Sequence, residues 1–266
     1  MYNIPLHPTL NDWCWIIGLV LLFTAARYFL LAGSVYLFFY FPMLKRWRNF
    51  KIQPAMPKQK QVRNELVFSF STIFIFSAIG LIIYSLYING HTTIYTSIHK
   101  YGWGYFALSI LVMIIIHDTY FYWTHRMLHT RWLFKRIHTV HHRSVNPTPL
   151  AAYSFHPLEA LIEGLVVFPF VTIFPVHIVA FFIFTSLVIT MNVVGHLGFE
   201  FFPRKFRNSL PGKCITSSTH HNLHHQKSNK NFGYYFTFWD TVMRTSQKEK
   251  TRAHIQNNFL NSKRTA

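Results

Sequence analysis

Three histidine clusters in this 266-residue chain have spacings that suit metal binding. They are H-R-M-L-H at His125 and His129, H-T-V-H-H at His138, His141 and His142, and H-N-L-H-H at His221, His224 and His225. On a helix, residues three and four positions apart share a face, so each cluster can direct its imidazoles toward a common point. One ion cannot use all these rings, because zinc takes about four ligands and an octahedral metal about six. The pattern therefore predicts two metal ions.

Two more histidines near the clusters are considered as ligands. His196, in N-V-V-G-H, lies where the last apolar run should end and is included in the predicted ligand set. His220 competes with its neighbour His221, but only His221 has the three-and-four spacing to the histidines that follow.

Three weaker candidates could support the metal shell. Asp118 shares one helical stripe with His125 and His129, so we expect it to accept the second N–H of a ligating histidine. An equal alternative is that Asp118 is a polar residue near the end of a membrane helix. His117 falls on a different face, and His156 precedes Pro157, which predicts a capping position just before a helix.

Long apolar runs must position these clusters. The chain is 51% hydrophobic, and several runs approach the roughly 20 residues that cross a bilayer. These runs are Trp13–Phe41, Leu66–Ile88, Trp103–Trp123 and Leu158–Val194, the last long enough for a hairpin turning near Pro175. Arg27 should tilt or interrupt the first run, because a charge inside a bilayer is costly. The fold class is predicted to be all-α, a polytopic membrane bundle with four or five crossings and a His-rich helical cap.

We expect one domain spanning residues 1–266. Residues 1–100 would hold the N-terminal spans, residues 101–245 the histidine motifs, and residues 246–266 a polar tail. No internal repeat or interdomain linker divides the chain.

The distribution of positive charge orients the bundle. The formal net charge is +18, and Lys and Arg cluster in the 45–63 loop and in the two His-rich segments, whereas the 89–102 loop carries only Lys100. The positive-inside rule then places every histidine cluster on the cytosolic side. Anionic lipid headgroups account for such a basic face, and an acidic electron carrier would also dock there. Nucleic-acid binding is not expected, since the charges flank membrane spans.

The order and surroundings of the histidine clusters resemble the fatty acid hydroxylase and sterol desaturase superfamily of membrane oxygenases. Residues 138–159, H-T-V-H-H-R-S-V-N-P-T-P-L-A-A-Y-S-F-H-P-L-E, and 231–245, N-F-G-Y-Y-F-T-F-W-D-T-V-M-R-T, are most similar to its sterol C-5 desaturase branch. The resemblance covers about half the chain, from Asp118 to Thr245. It departs from the pattern at Arg244, where many relatives have a small residue, and no haem-binding cytochrome segment is recognisable.

This resemblance implies a pair of iron ions, molecular oxygen as co-substrate and a lipid substrate, with electrons from a separate donor protein. The ligands it implies are His125, His129, His138, His141, His142, His196, His221, His224 and His225. The resulting hypothesis is desaturation or hydroxylation of a lipid C–H bond, with no catalytic residues beyond the metal ligands. The substrate is open among sterols, acyl chains, carotenoids and alkyl glycerol ethers.

Two alternatives come from other functional classes. A membrane zinc hydrolase would also use histidines, but no H-E-x-x-H motif is present. A metal-binding or transport protein would place ionisable groups along a path through the spans, whereas here they gather at one membrane edge.

Overall fold

The structure, a computed structural model, describes residues 8–41 and 44–247 and consists almost entirely of helices. The helices are α1 Leu10–Tyr28, α2 Ser34–Tyr40, α3 Leu44–Trp47, α4 Gln59–Ile88, α5 Gly102–Leu128, α6 Arg131–Leu133, α7 Thr139–His142, α8 Pro157–Leu165, α9 Val167–Thr172, α10 Ile178–Gly195, α11 Arg204–Asn208, α12 Leu210–Cys214, α13 Ser218–Lys227 and α14 Phe238–Val242. π-helical turns cover Phe29–Gly33 and Phe134–His138, and 3-10 turns cover Arg48–Phe50, Ile98–Lys100 and Pro149–Tyr153. The all-α prediction is confirmed. Most of the predicted polar tail falls outside the described residues.

Four helical segments of the described chain are long and apolar enough to cross a membrane. They are Leu10–Tyr40, Gln59–Ile88, Gly102–Leu128 and Ile178–Gly195. The first remains one helical span and contains a π-helical turn that begins two residues after Arg27, where a tilt or an interruption was predicted. The Arg27 guanidinium donates from Nη1 to the Thr185 hydroxyl at 3.0 Å, which supplies a polar partner inside the bundle. The protein is therefore a multi-pass helical membrane protein.

A fifth, shorter passage connects α5 to α10. Helix α5 ends at the histidine side, whereas α10 starts at the opposite end of the bundle, so the chain between them must cross. It does so as the kinked pair α8 and α9. The strands β1 (Ile94–Tyr95) and β2 (Val176–His177) pair in parallel at the far end and fix the turn predicted near Pro175. The predicted hairpin is thus present, but its first arm is broken at Val166.

The segment between α7 and α8 is held tightly against the first two spans. The carbonyl oxygen of Leu150 accepts hydrogen bonds from the Tyr28 hydroxyl at 2.9 Å and the Ser69 hydroxyl at 3.0 Å. Thr148 donates to the buried carboxylate of Glu65 at 2.5 Å. Because this segment directly follows the second histidine cluster, these bonds fix that cluster relative to the bundle.

Candidate metal centre

Five separate elements bring the predicted ligands to one end of the bundle. His125 and His129 end α5, and His138 closes the π-helical turn before α7. His141 and His142 lie on α7, His196 follows the last residue of α10, and the third cluster lies on α13. The Thr139 hydroxyl donates to the Phe134 carbonyl at 2.6 Å, five residues back, and so supports the π-helical turn.

All nine predicted histidines converge, in two groups whose potential ligand atoms lie within 4.8 Å of one another. We call these the five-histidine group (His125, His129, His138, His142 and His224) and the four-histidine group (His141, His196, His221 and His225). The second and third clusters are each divided between the groups. On a helix, the side chains of residues i and i+4 point in nearly the same direction, whereas the side chain of residue i+3 is rotated the other way around the helix axis. His138 and His142 therefore share one group, and His141 belongs to the other. The expectation that each cluster serves one point is therefore wrong for these two clusters.

The outer ring nitrogens determine which inner nitrogens are free to bind a cation. Nδ1 of His125 lies 3.0 Å from the Phe232 carbonyl oxygen, and Nδ1 of His196 lies 2.8 Å from that of Asn192. His141 and His224 face the carbonyl oxygens of Ser154 and Lys230 at 3.2 and 2.7 Å. A carbonyl only accepts, so Nδ1 carries the proton and Nε2 of the neutral ring presents a lone pair.

These lone pairs point at each other. Nε2 of His141 and Nε2 of His196 are 3.2 Å apart, although both rings donate through Nδ1. Two acceptors at that separation repel each other unless a cation lies between them. The arrangement therefore fits a bound metal and is not a self-satisfied hydrogen-bond network.

The nitrogens of each group are close enough to bind one ion. Neighbouring Nε2 atoms within each group are 3.0–3.2 Å apart. With metal–nitrogen bonds of about 2.1 Å, two imidazole ligands of the same ion lie roughly 3.0–3.4 Å apart. Each group could therefore hold one metal ion.

Burial keeps these rings neutral. Seven of the nine are buried, whereas His129 and His221 are half-buried. Desolvation lowers the pKa of His142 to about 3 and that of His196 to about 4, and it also lowers the pKa of His138 and His224 well below the usual value. The neutral imidazole is the form that binds a metal, so both histidine groups could bind metal at physiological pH without first losing protons.

The three weaker candidates and His220 all lie outside both groups. Asp118 accepts from the backbone amides of Tyr235 and Phe236, at 2.8 and 3.1 Å, and not from a histidine as expected. Asp118 lies on the same face of α5 as His125 because the C-terminal segment around Tyr235 packs against this face. His117 is buried among aromatic rings two helical turns away from His125.

His156 and His220 have local structural contacts. His156 caps α8, its Nδ1 accepting from the Leu158 amide at 3.2 Å, which confirms the predicted capping position. His220 turns away from its neighbour His221, and its Nε2 lies 3.7 Å from a carboxylate oxygen of Asp240.

The carboxylate that contacts a candidate ligand is that of Glu159, which was not among the residues predicted from the sequence. Its Oε1 lies 2.7 Å from Nδ1 of His138, and both side chains are buried. A carboxylate on the outer nitrogen fixes the tautomer and orientation of a ligating histidine. The sequence did contain a signal for a functional role of Glu159, because an acidic residue is unusual in such an apolar segment.

The C-terminal segment that closes the site depends on Asp240. This fully buried carboxylate accepts from the amides of Phe232 and Gly233, at 2.9 and 2.8 Å, and from the Thr245 hydroxyl at 2.7 Å. The preceding residues supply the carbonyls that hold His125 and His224. Arg244 takes a left-handed conformation (φ 55°), which glycine adopts with less strain than a residue with a side chain.

Asp240→Ala should destabilise the protein strongly. Three donors would lose their acceptor at a cost of about 1–3 kcal/mol each. The thermal unfolding midpoint in detergent should therefore fall by roughly 10 °C or more. Asp12→Ala, which removes only the exposed capping box at Thr9, is the control and should cost about 1 kcal/mol. Equal midpoints for the two variants would contradict this role of Asp240.

An apolar cavity of about 690 Å³ extends through the bundle toward the histidines. Residues of α1, α4, α5, α8 and α10 line it. At its histidine end, Phe121 and Phe155 line the cavity and also contact ligand rings, with centroids 4.9 Å from His125 and 5.1 Å from His141. The volume lies in the range of sites that hold a small organic molecule.

Comparison with known proteins gives one family match, fatty acid hydroxylase, over residues 110–245. The chain is 32% identical over 219 residues to lathosterol oxidase of Rattus norvegicus, covering 81% of this chain and 69% of that protein. It is 32% identical over 188 residues to lathosterol oxidase of Homo sapiens, covering 69% and 60%, respectively. It is 29% identical over 222 residues to a Delta(7)-sterol 5(6)-desaturase of Gibberella zeae, covering 82% and 64%. No solved structure matches the chain significantly.

Proposed function

Because this chain belongs to the fatty acid hydroxylase family and is similar to sterol desaturases, we propose that it is a membrane-bound oxidoreductase that uses two iron ions and molecular oxygen to desaturate or hydroxylate a lipid. The observation that carries the proposal is the convergence of nine neutral imidazoles, in two groups, at one end of an apolar cavity. The chain spans 60–69% of the length of the three relatives named above, so their activities come to it only as part of this proposal.

The nine histidines would hold the iron. The five-histidine group would bind one ion and the four-histidine group the other, through Nε2 in each case. Bound non-haem iron supplies oxygen activation and the removal of hydrogen from an unactivated carbon. Burial keeps the rings neutral, and Nδ1 partners orient six of them: His125, His138, His141, His142, His196 and His224.

The apolar cavity would hold the lipid. Its walls are aliphatic and aromatic, which favours a long apolar molecule and keeps water away from the reacting carbon. Phe121 and Phe155 line the cavity and contact His125 and His141, so the reacting carbon would lie near these two aromatic rings. The names of the relatives, lathosterol oxidase and Delta(7)-sterol 5(6)-desaturase, favour a sterol as substrate and desaturation as the outcome.

Electrons would come from a separate donor protein at the histidine-bearing face. Between the first two clusters, Arg131, Lys135 and Arg136 are exposed, and Arg143 is exposed just after the second. This positive face suits an acidic donor, because complementary charge speeds encounter. Its placement on the cytosolic side follows from the positive-inside rule.

A zinc hydrolase is less well supported by the geometry. Among the described residues, the carboxylate within hydrogen-bond distance of a group histidine is that of Glu159, and it engages the outer Nδ1. It is therefore not placed to activate a metal-bound water.

The proposal is tested by metal analysis and lipid oxidation with the full chain purified in detergent without chelators. We expect about two iron atoms per polypeptide, as two separate groups require, and oxygen consumption that depends on added lipid and reductant. Chelation should abolish oxidation, iron(II) should restore it and zinc should not. Loss of two hydrogen atoms from the lipid would indicate desaturation, and gain of one oxygen atom would indicate hydroxylation. Full oxidation by protein without iron would contradict the proposal.

A further inference from the structure

Among the polar side chains of the apolar cavity that have unpartnered atoms, His117 and Glu163 lie together near its histidine end. His117 is 2% exposed, and its Nδ1 is buried without a partner. Glu163 lines the same cavity and forms no hydrogen bond or ion pair within the part of the chain that the structure describes. Groups of this kind are unfavourable in apolar surroundings unless something satisfies them.

The two side chains lie on facing helices near the histidine end of the cavity. The Tyr120 hydroxyl donates to the Ile162 carbonyl at 2.6 Å and so joins α5 to α8 next to both residues. The ring of Tyr234 lies 5.0 Å from that of His117 and also lines the cavity. Several other polar groups of the cavity wall have partners: Arg27 donates from Nη1 to Thr185, Thr24 to the Val20 carbonyl and Asn192 to the Ala152 carbonyl. The Tyr84 hydroxyl and Nε of Arg27 also lack partners, but they belong to α4 and α1 and not to the facing pair α5 and α8.

We propose that His117 and Glu163 form a polar anchor that binds a hydroxyl group of the lipid substrate. A hydroxyl is one donor and an acceptor on a small atom, so it can satisfy both an imidazole and a carboxyl group. A hydrocarbon alone would leave both groups unsatisfied. The inference rests on the proposed function for the identity of the cavity as the substrate site.

The anchor would select the carbon that reacts. His117 precedes His125 by eight residues, or about 12 Å along the helix axis. Glu163 follows Glu159, which contacts the ligand His138, by one helical turn. Part of this distance is taken up by the hydrogen bond between the anchor and the hydroxyl, and part by the gap between the reacting carbon and the metal. Only a few carbon–carbon bonds of the lipid fit into the remainder. The oxidised carbon would therefore lie within a few bonds of the hydroxyl.

Binding to the metal-free full chain in detergent tests the anchor separately from oxidation. The probes are lathosterol against its 3-O-methyl ether, and hexadecanol against its methyl ether. The wild-type protein should bind the free alcohol of at least one pair at least about tenfold more tightly than the ether. His117→Phe and Glu163→Leu should each bring the ratio close to one, whereas His117→Gln and Glu163→Gln, which keep donor and acceptor atoms, should retain much of it.

Thr24→Val is the matched control, because it removes a hydroxyl from the same cavity that already has a partner. It should leave the preference unchanged. Thermal unfolding midpoints of all variants show whether they fold. The anchor is ruled out if the wild-type protein prefers neither alcohol, or if folded His117→Phe and Glu163→Leu keep the full preference. Failure of the iron assay would instead count against the proposed function and leave this result standing.

Discussion

His221→Ala should reduce lipid oxidation by at least about 100-fold, because even residues that merely support a ligand contribute 10–100-fold. The Nε2 atom of His221 lies 3.0 Å from that of His196 and 3.2 Å from that of His225. Its removal leaves three rings in the four-histidine group, while the five-histidine group keeps all its members. The purified variant should therefore retain one tightly bound iron and lose the other, as measured by elemental analysis per polypeptide.

His220→Ala is the control for this prediction. The two histidines are adjacent on α13, so both substitutions have the same effect on helix propensity. His220 faces Asp240 and lies outside both groups, so this variant should keep both iron atoms and most of its activity. The opposite pattern, with iron lost from His220→Ala and retained in His221→Ala, would exchange the two assignments.

The sequence was sufficient to name the converging histidines but not to divide them. The spacing of the third cluster favoured His221 over His220, and the expected end of the last span added His196. The structure brings both His221 and His196 into the four-histidine group. The assignment of His141 and His142 to different groups could not be predicted from the sequence. It depends on how α7 is rotated, which the π-helical turn before it determines.

The supporting contacts were the least predictable part of the site. Backbone carbonyls hold Nδ1 of His125, His141, His196 and His224, and a carbonyl leaves no mark in the sequence. Asp118 was expected in that role because of its position on the helix, but the carboxylate instead binds amides from a segment more than a hundred residues away. Glu159 takes the role through a turn between α7 and α8 whose path sequence spacing does not reveal.

The membrane part was more readable, because hydropathy is a property of the chain itself. Four spans agree with the apolar runs, and a π-helical turn lies beside Arg27, where the cost of a charge inside a bilayer predicted a tilt or an interruption. The break at Val166 was not foreseen, since the run from Leu158 onward is apolar on both sides of it. This break has a functional consequence, because it keeps α8 short and places Glu159 and Glu163 beside the histidine end of the cavity.

Glu159→Leu should weaken iron binding by about 10–100-fold, with a comparable loss of oxidation at limiting iron. The substitution removes the acceptor at 2.7 Å from Nδ1 of His138, so the ring of that ligand loses its fixed orientation and its Nδ1–H is left buried without a partner. Glu159→Gln should cost much less, because the amide oxygen can still accept from Nδ1–H. Iron affinity is measured by competition with a chelator of known strength.

Glu163→Leu is the matched control for iron affinity, since it makes the same change one helical turn along α8 at a carboxyl group that contacts no ligand histidine. It should bind iron as tightly as the wild-type protein. Two results would refute the assigned role of Glu159: equal iron affinity in Glu159→Leu and Glu163→Leu, or a loss in Glu159→Gln as large as that in Glu159→Leu. The second result would mean that the negative charge of Glu159, and not its acceptor oxygen, is what His138 requires.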